Sequence, residues 1–161
     1  MLIQSTRLGL HKDFEVHSEI SVEEVDRYFS DLDECHALKP LHFDVHLVNH
    51  GKYIAMEADL DLDLELCCAR CGETIVQSFK PHVSLKLIEA SSVGSVEEVV
   101  LTEDDLDTVT YQAPNIDLND LLLESIYLEF DDQVLCKPDC KGICLNCGQN
   151  LNQGVCKCGE K

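Results

Sequence analysis

The sequence predicts an α+β fold: a mainly antiparallel β-sheet, or a partly closed barrel, carrying two short helices and a cysteine-rich C-terminal segment. Three observations predict it. Residues 53–66 alternate strictly between apolar and polar side chains. Two short stretches show helical spacing behind a capping residue. The composition changes abruptly near Leu135, where an acidic body gives way to a cysteine-rich tail. Strands of period two with few helices point to an antiparallel sheet with one solvated face.

In chain order, Ser21-Val-Glu-Glu24 reads as a helix start, with Ser at the N-cap and Glu three residues on. Val22, Val25, Phe29 and Leu32, with Tyr28 alongside, form the apolar stripe of a short helix ending near Asp33. Leu41–Leu47 alternates as a strand, and Asn49–Lys52 is a turn. From Tyr53 to Leu66, Ile54, Met56, Ala58, Leu60, Leu62, Leu64 and Leu66 share one face, with Glu57, Asp59, Asp61, Asp63 and Glu65 on the other. The acid row reads as a solvated face, or alternatively as a surface for a cation or basic partner. At about 3.3 Å per residue this strand would run some ~46 Å, so a bend or bulge is expected. Thr74–Phe79 and Val83–Ile88 are further strands around Lys80-Pro81, with weaker ones at Val96–Leu101 and Val109–Tyr111. Ala90–Ser95 and Glu103–Asp105 read as exposed loops. Asp117 caps a second helix through Leu118, Leu121, Leu122 and Ile126 to about Glu129.

The 161 residues carry 31 acids against 12 Lys plus Arg, a formal charge of −19. Residues 1–135 account for −21 and residues 136–161 for +2. These are the two expected units: an acidic, mostly β body (1–135) and a metal-dependent tail (136–161). The charge argues against direct binding of the body to phosphate backbones or anionic lipid. The first residues show neither a basic n-region nor an apolar h-region, and no run approaches a membrane span. A cytoplasmic setting is therefore expected, where cysteines act as metal ligands or redox thiols before they form disulfides.

Six of the ten cysteines lie in the tail, which has no aromatic residue and cannot build its own core. Cys144 and Cys147 form C-x2-C followed by Gly148, and Cys156 and Cys158 supply two further thiolates. Four thiolates fit a closed tetrahedral Zn2+ site, which makes the tail a zinc-knuckle segment; an iron–sulfur cluster is the rival reading. The body holds a second pair, Cys68 and Cys71, followed by Gly72. A redox motif there would need a helix after it, and the next residues read as a strand. Pairing these two with Cys136 and Cys140 gives a second four-cysteine site that clips the tail to the sheet. Free thiols or another pairing are the alternatives. Cys67 faces away from Cys68, and Cys35 reads as an isolated thiol. The histidines form no ligand pattern; His42 and His46 read as solvent-side residues. No nucleophile elbow, phosphate loop or dinucleotide fingerprint occurs, so no enzyme is predicted.

The pair Cys68-Ala-Arg-Cys71, then Ile116-Asp-Leu118 with its acidic-leucine helix, then Cys136-Lys-Pro-Asp-Cys140-Lys-Gly-Ile-Cys144-Leu-Asn-Cys147-Gly-Gln-Asn150-Leu-Asn152, and finally Cys156-Lys-Cys158 resemble the YceD family. These are bacterial and plastid proteins linked to accumulation of large-subunit ribosomal RNA. The resemblance runs from about Leu60 to Cys158, departing at Gly72 and Leu145, where the family often has Leu and Pro. It implies a role in synthesis, processing or stability of that RNA, which with the missing catalytic motifs leads to the expectation of a non-enzymatic ribosome-biogenesis factor. The expected partners are a basic ribosomal protein, which suits the acidic body, or the large-subunit RNA precursor, contacted by Lys137, Lys141 and Lys157. A structural zinc module and a cysteine redox protein are the alternatives.

Overall fold

The computed structural model describes residues 1–31, 35–92, 107–129, 133–156 and 158. The predicted strand Val96–Leu101 and the acid cluster Glu103–Asp105 lie outside the described residues, as does Lys157. The elements are β1 (Leu2–Gln4), β2 (Asp13–Ile20), α1 (Val22–Tyr28), β3 (His36–Ala37), β4 (Leu41–Asn49), β5 (Ile54–Cys67), β6 (Thr74–Phe79), β7 (His82–Glu89), β8 (Thr108–Tyr111), β9 (Asn115–Asp117) and α2 (Leu118–Glu129).

The main sheet runs β2-β4-β5-β7-β8, with β3 and β6 added along β5, and β1 pairs with β9 apart from it. The sheet is open, which corrects the barrel alternative. Among the described residues its edges β2 and β8 do not pair with each other; side chains from both helices instead join the core formed by the inward strand residues. A sheet whose apolar face is covered by helices has no need of closure. Its pairs are antiparallel except β7 with β8, which run parallel.

β5 forms over its full predicted length because all seven even-numbered apolar side chains from Ile54 to Leu66 are buried. Each buried Leu there contributes roughly 1.5–3 kcal/mol. The strand is continuous, and the interruptions fall in its neighbours. On one side β7 and β6 follow a single register along β5, broken only at Lys80-Pro81. On the other side the chain takes five residues from Ala37 to His42, while β5 takes three from Leu64 to Asp61. The extra residues around Leu38–Pro40 play the part of a bulge. β5 thus extends beyond β4 and β7 and carries Cys67 and Cys68 to its far end.

Helix α1 starts as predicted: Ser21 Oγ accepts the Glu24 N–H at 3.3 Å. The Glu24 carboxylate does not complete the box; it accepts from Asn119 Nδ2 at 2.8 Å and ties α1 to α2. The helix ends at Tyr28, with Phe29 at its C-cap; Leu32 and Asp33 of the predicted helix lie outside the described residues. Val25 and Phe29 are buried. Asp117 caps α2 by accepting the Asn119 N–H at 3.2 Å. The turn at Asn49–Lys52 closes through His50 N–H to the Tyr53 carbonyl, 2.9 Å, with Gly51 at φ +85°.

The exposed face of the sheet carries paired charges. Lys39 reaches Asp61 (2.8 Å) and Asp63 (3.1 Å), and Lys80 reaches Asp61 (3.4 Å). His82 sits between Asp59 (2.8 Å) and Glu57 (2.9 Å), while His17 meets Asp44, His42 meets Glu19 and His46 meets Asp13. His42 and His46 are solvent-side, as expected. Hydrogen bonds to Asp59 and Glu57 raise the His82 pKa, and the bond to Asp44 raises that of His17.

Candidate functional site

β5 ends in a tight turn, Cys68-Ala-Arg-Cys71-Gly72. The Cys68 N–H donates to the Glu73 carbonyl (2.9 Å) and the Gly72 N–H donates back to the Cys68 carbonyl (2.9 Å). The tail repeats this geometry at Cys144-Leu-Asn-Cys147-Gly148. There the Cys144 N–H donates to the Gln149 carbonyl and the Gly148 N–H to the Cys144 carbonyl, both at 2.8 Å. Gly72 (φ +69°) and Gly148 (φ +72°) both adopt the left-handed conformation that closes such a turn. In each turn the sulfur of the first cysteine accepts the N–H groups two and three residues on: Arg70 and Cys71 for Cys68, Asn146 and Cys147 for Cys144. The Cys136 N–H adds a third donor to Cys68. The body turn runs into strand β6, not a helix, so it lacks the helix N-terminus of a redox motif.

The structure brings the predicted ligands together in two groups. Cys68, Cys71, Cys136 and Cys140 form one, and Cys144, Cys147, Cys156 and Cys158 the other, with all sulfurs of a group within 4.8 Å of one another. In the first, Cys68 and Cys140 are 3.7 Å apart, and Cys71 and Cys136 are 3.6 Å apart. In the second, Cys147–Cys156 is 3.5 Å and Cys144–Cys156 is 3.2 Å. A tetrahedron of Zn–S bonds of ~2.3 Å has edges of ~3.8 Å, whereas a disulfide needs about 2.0 Å. Sulfurs at these separations fit around one ion. They leave no room between them for several iron atoms and their sulfides.

The electrostatics are those of ligand sets. Burial raises the Cys68 thiol, but the N–H groups of Cys136, Arg70 and Cys71 outweigh it and bring its pKa to about 6. The Cys156 contact and the N–H groups of Asn146 and Cys147 bring Cys144 to about 6. Burial and the neighbouring thiols push Cys136 up to about 12; contacts with Cys156 and Cys147 do the same to Cys158. Four thiolates cannot crowd together unaided, and a divalent cation would supply the charge that lets them.

The first group is held from both sides. The Ala69 N–H donates to the Val134 carbonyl (2.9 Å), Arg70 Nη1 to the Cys140 carbonyl (3.1 Å) and Gln153 Nε2 to Glu73 Oε1 (3.1 Å). Asn152 Nδ2 donates to Cys140 Sγ at 3.2 Å. Sequence reasoning missed these supports, because a side-chain donor twelve residues from its sulfur leaves no spacing signature. Lys137 and Lys141 are exposed beside the clusters. Cys35 is buried, and burial raises its thiol to about 11. No helix among the described residues is long and apolar enough to cross a membrane.

Fold and site together define a sheet protein whose cysteine-rich tail is stapled to one end of its longest strand. The family model described as "Large ribosomal RNA subunit accumulation protein YceD" matches residues 56–161, which take in all but the first two residues of that strand, both turns and the tail. The chain belongs to the YceD family. It is similar to the "Large ribosomal RNA subunit accumulation protein YCED homolog 1, chloroplastic" of Arabidopsis thaliana, 26% identical over 144 residues, covering 76% of this chain and 44% of that protein. The Zea mays protein of the same name is 30% identical over 122 residues, covering 59% of this chain and 40% of that one. The chain therefore spans less than half the length of these curated relatives. No solved structure matches.

Proposed function

We propose that this chain is a non-enzymatic ribosome-biogenesis factor that supports accumulation of large-subunit ribosomal RNA, with its tail folded and clipped to the sheet by two zinc ions. The observation that carries the metal part is the pair of cysteine turns with matching hydrogen bonds, each beside two further sulfurs at tetrahedral spacing. The family and relatives' names carry the ribosomal part. Zinc suits four thiolates with no open position, so it would act as structure and not as catalyst.

The partner follows from charge and side-chain type. The body is strongly acidic, which favours a basic ribosomal protein. The tail has no aromatic side chain on which an RNA base could stack. Its formal +2 is offset on loading, since each four-thiolate zinc site carries about −2. Lys137, Lys141 and Lys157 are thus left to approach phosphates beside the protein partner, and RNA contact is secondary.

Two measurements test this. Metal analysis of the full chain should find two zinc per chain; an apo protein that keeps its tail folded overturns the metal reading. In cells lacking the chain, large-subunit RNA should fall relative to small-subunit RNA and recover with the wild-type gene; an unchanged ratio overturns the ribosomal reading. In a salt titration with purified partners, tighter binding to RNA than to basic ribosomal proteins at physiological salt reverses the proposed order of partners.

A further inference from the structure

The two cysteine groups adjoin in sequence: Cys140 of the first and Cys144 of the second are separated by Lys141-Gly142-Ile143. That linker threads closely over the body. Gly142 is at φ +73°, and a Cβ there would lie 3.0 Å from the Arg70 carbonyl oxygen. It is also zipped to the tail's far arm by the Leu151 N–H to the Gly142 carbonyl (2.9 Å) and a bridge between Ile143 and Asn150.

Asn152 closes the connection. It lies between Cys147 and Cys156, inside the loop that the second group folds. Its backbone is fixed by the Asn152 N–H to Asn150 Oδ1, 2.8 Å. Its Oδ1 accepts the Lys141 N–H (2.9 Å), and its Nδ2 donates to Cys140 Sγ in the other group (3.2 Å). The amide is satisfied at both ends, and one of its partners is a sulfur of the site to which Asn152 does not belong.

We propose that the two cysteine groups load metal as a coupled pair, with Asn152 as the positioning residue through which folding of the tail site strengthens the Cys68/Cys71/Cys136/Cys140 site. This rests on the metal reading above. Metal at the tail site orders the loop carrying Asn152; the ordered amide then stabilises the Cys140 thiolate against its excess negative charge. Removing such an outer partner costs 10–100-fold in affinity. Coupling of this kind is reciprocal, so filling the first site tightens the tail site by the same factor.

The test is chelator-competed Cd2+ titration of the reduced full chain, followed by 113Cd resonances, one per site. Asn152→Asp keeps an acceptor for the Lys141 N–H but replaces the donor to sulfur with a carboxylate. It should weaken the first site about 10–100-fold and shift its resonance while the tail resonance persists, showing the tail still folded. Cys156→Ser, which dismantles the tail site, should weaken the first site as much as Asn152→Ala does, and the double variant should be no worse than either. First-site affinity within about twofold of wild type in N152D, or additive losses in the double variant, overturns the coupling. A wild-type chain that binds no cadmium fails the metal reading itself, and the coupling falls with it.

Discussion

The turn at Cys68–Gly72 and the turn at Cys144–Gly148 share backbone hydrogen bonds, glycine conformation and sulfur donors, yet they sit in different surroundings. The first grows out of β5, and Cys68, Cys71 and Cys140 around it are buried. The second lies in a segment with no core of its own, where Cys147 and Cys158 are exposed. The same local chemistry therefore has two jobs. At the end of β5 a bound metal would join pieces that already have structure on one side. In the tail it would replace the hydrophobic core that the sequence does not provide.

The largest effect should come from removing the ion of the tail site. Structural zinc in small peptides contributes about 10–16 kcal/mol of coupled folding energy. Cys144→Ser should abolish amide protection across residues 141–156, and the melting of the sheet should move by less than ~1 kcal/mol equivalent. If sheet and tail melt together, the two turns do not differ in the way proposed. The next effect is Cys68→Ser. It should lower bound zinc by one ion per chain and expose residues 133–135 to protease. It should cost the sheet only ~1–3 kcal/mol, through groups left buried without their partner. Unchanged zinc content would dissolve the clip.

Glycine substitutions sharpen the comparison at a smaller scale. A Cβ at Gly72 or Gly148 meets nothing within 4 Å, so Gly→Ala at either costs only the left-handed backbone, about 1–2 kcal/mol. The two should cost the same in spite of their different surroundings. Gly142→Ala adds the 3.0 Å approach to the Arg70 carbonyl and should cost more than either. Denaturant midpoints of the zinc-loaded chain would show the ranking, and G142A at or below G148A would mean that the linker does not lie tight against Arg70.

Much of this was legible before any coordinates. β5 was plain because a period of two over its full length has no competing reading, and β6 because Lys80-Pro81 marks its end. The four-cysteine groupings followed from counting ligands. β1, β3 and β9 were not legible: at two or three residues they are too short for periodicity, and their pairing is set by long-range contact. β2 carries its own legible signal, since Phe14, Val16 and Ile20 alternate with Asp13, Glu15 and Glu19. The open sheet was hidden because alternation marks a face to be covered without saying whether strands or helices cover it. Asn152 was hidden for a related reason: its role depends on where a loop returns in space, not on its distance along the chain.

The smallest expected effect separates sheet and tail by their response to pH. His82 places both ring nitrogens within hydrogen-bond reach of carboxylates, Asp59 at Nδ1 and Glu57 at Nε2. Only the imidazolium can donate to both at once. Its folded pKa lies above the ordinary 6.5. A raised pKa gives stabilisation that is fully present below the unfolded value and lost as pH rises through the folded one. A metal-loaded tail would respond in the opposite sense, because its ligands would bind metal as thiolates in competition with protons. Lowering the pH from 8 to 6 should therefore strengthen this exposed contact while weakening metal binding. The contact is fully exposed, so screening keeps its effect small. An NMR titration should place His82 above 6.5, and His82→Gln should remove its share of the sheet's pH dependence without touching the pH profile of zinc release. A titration midpoint at or below 6.5 would mean that the carboxylates do not hold the imidazolium, and a shifted zinc profile would mean that the middle of β5 and its cysteine end are not independent.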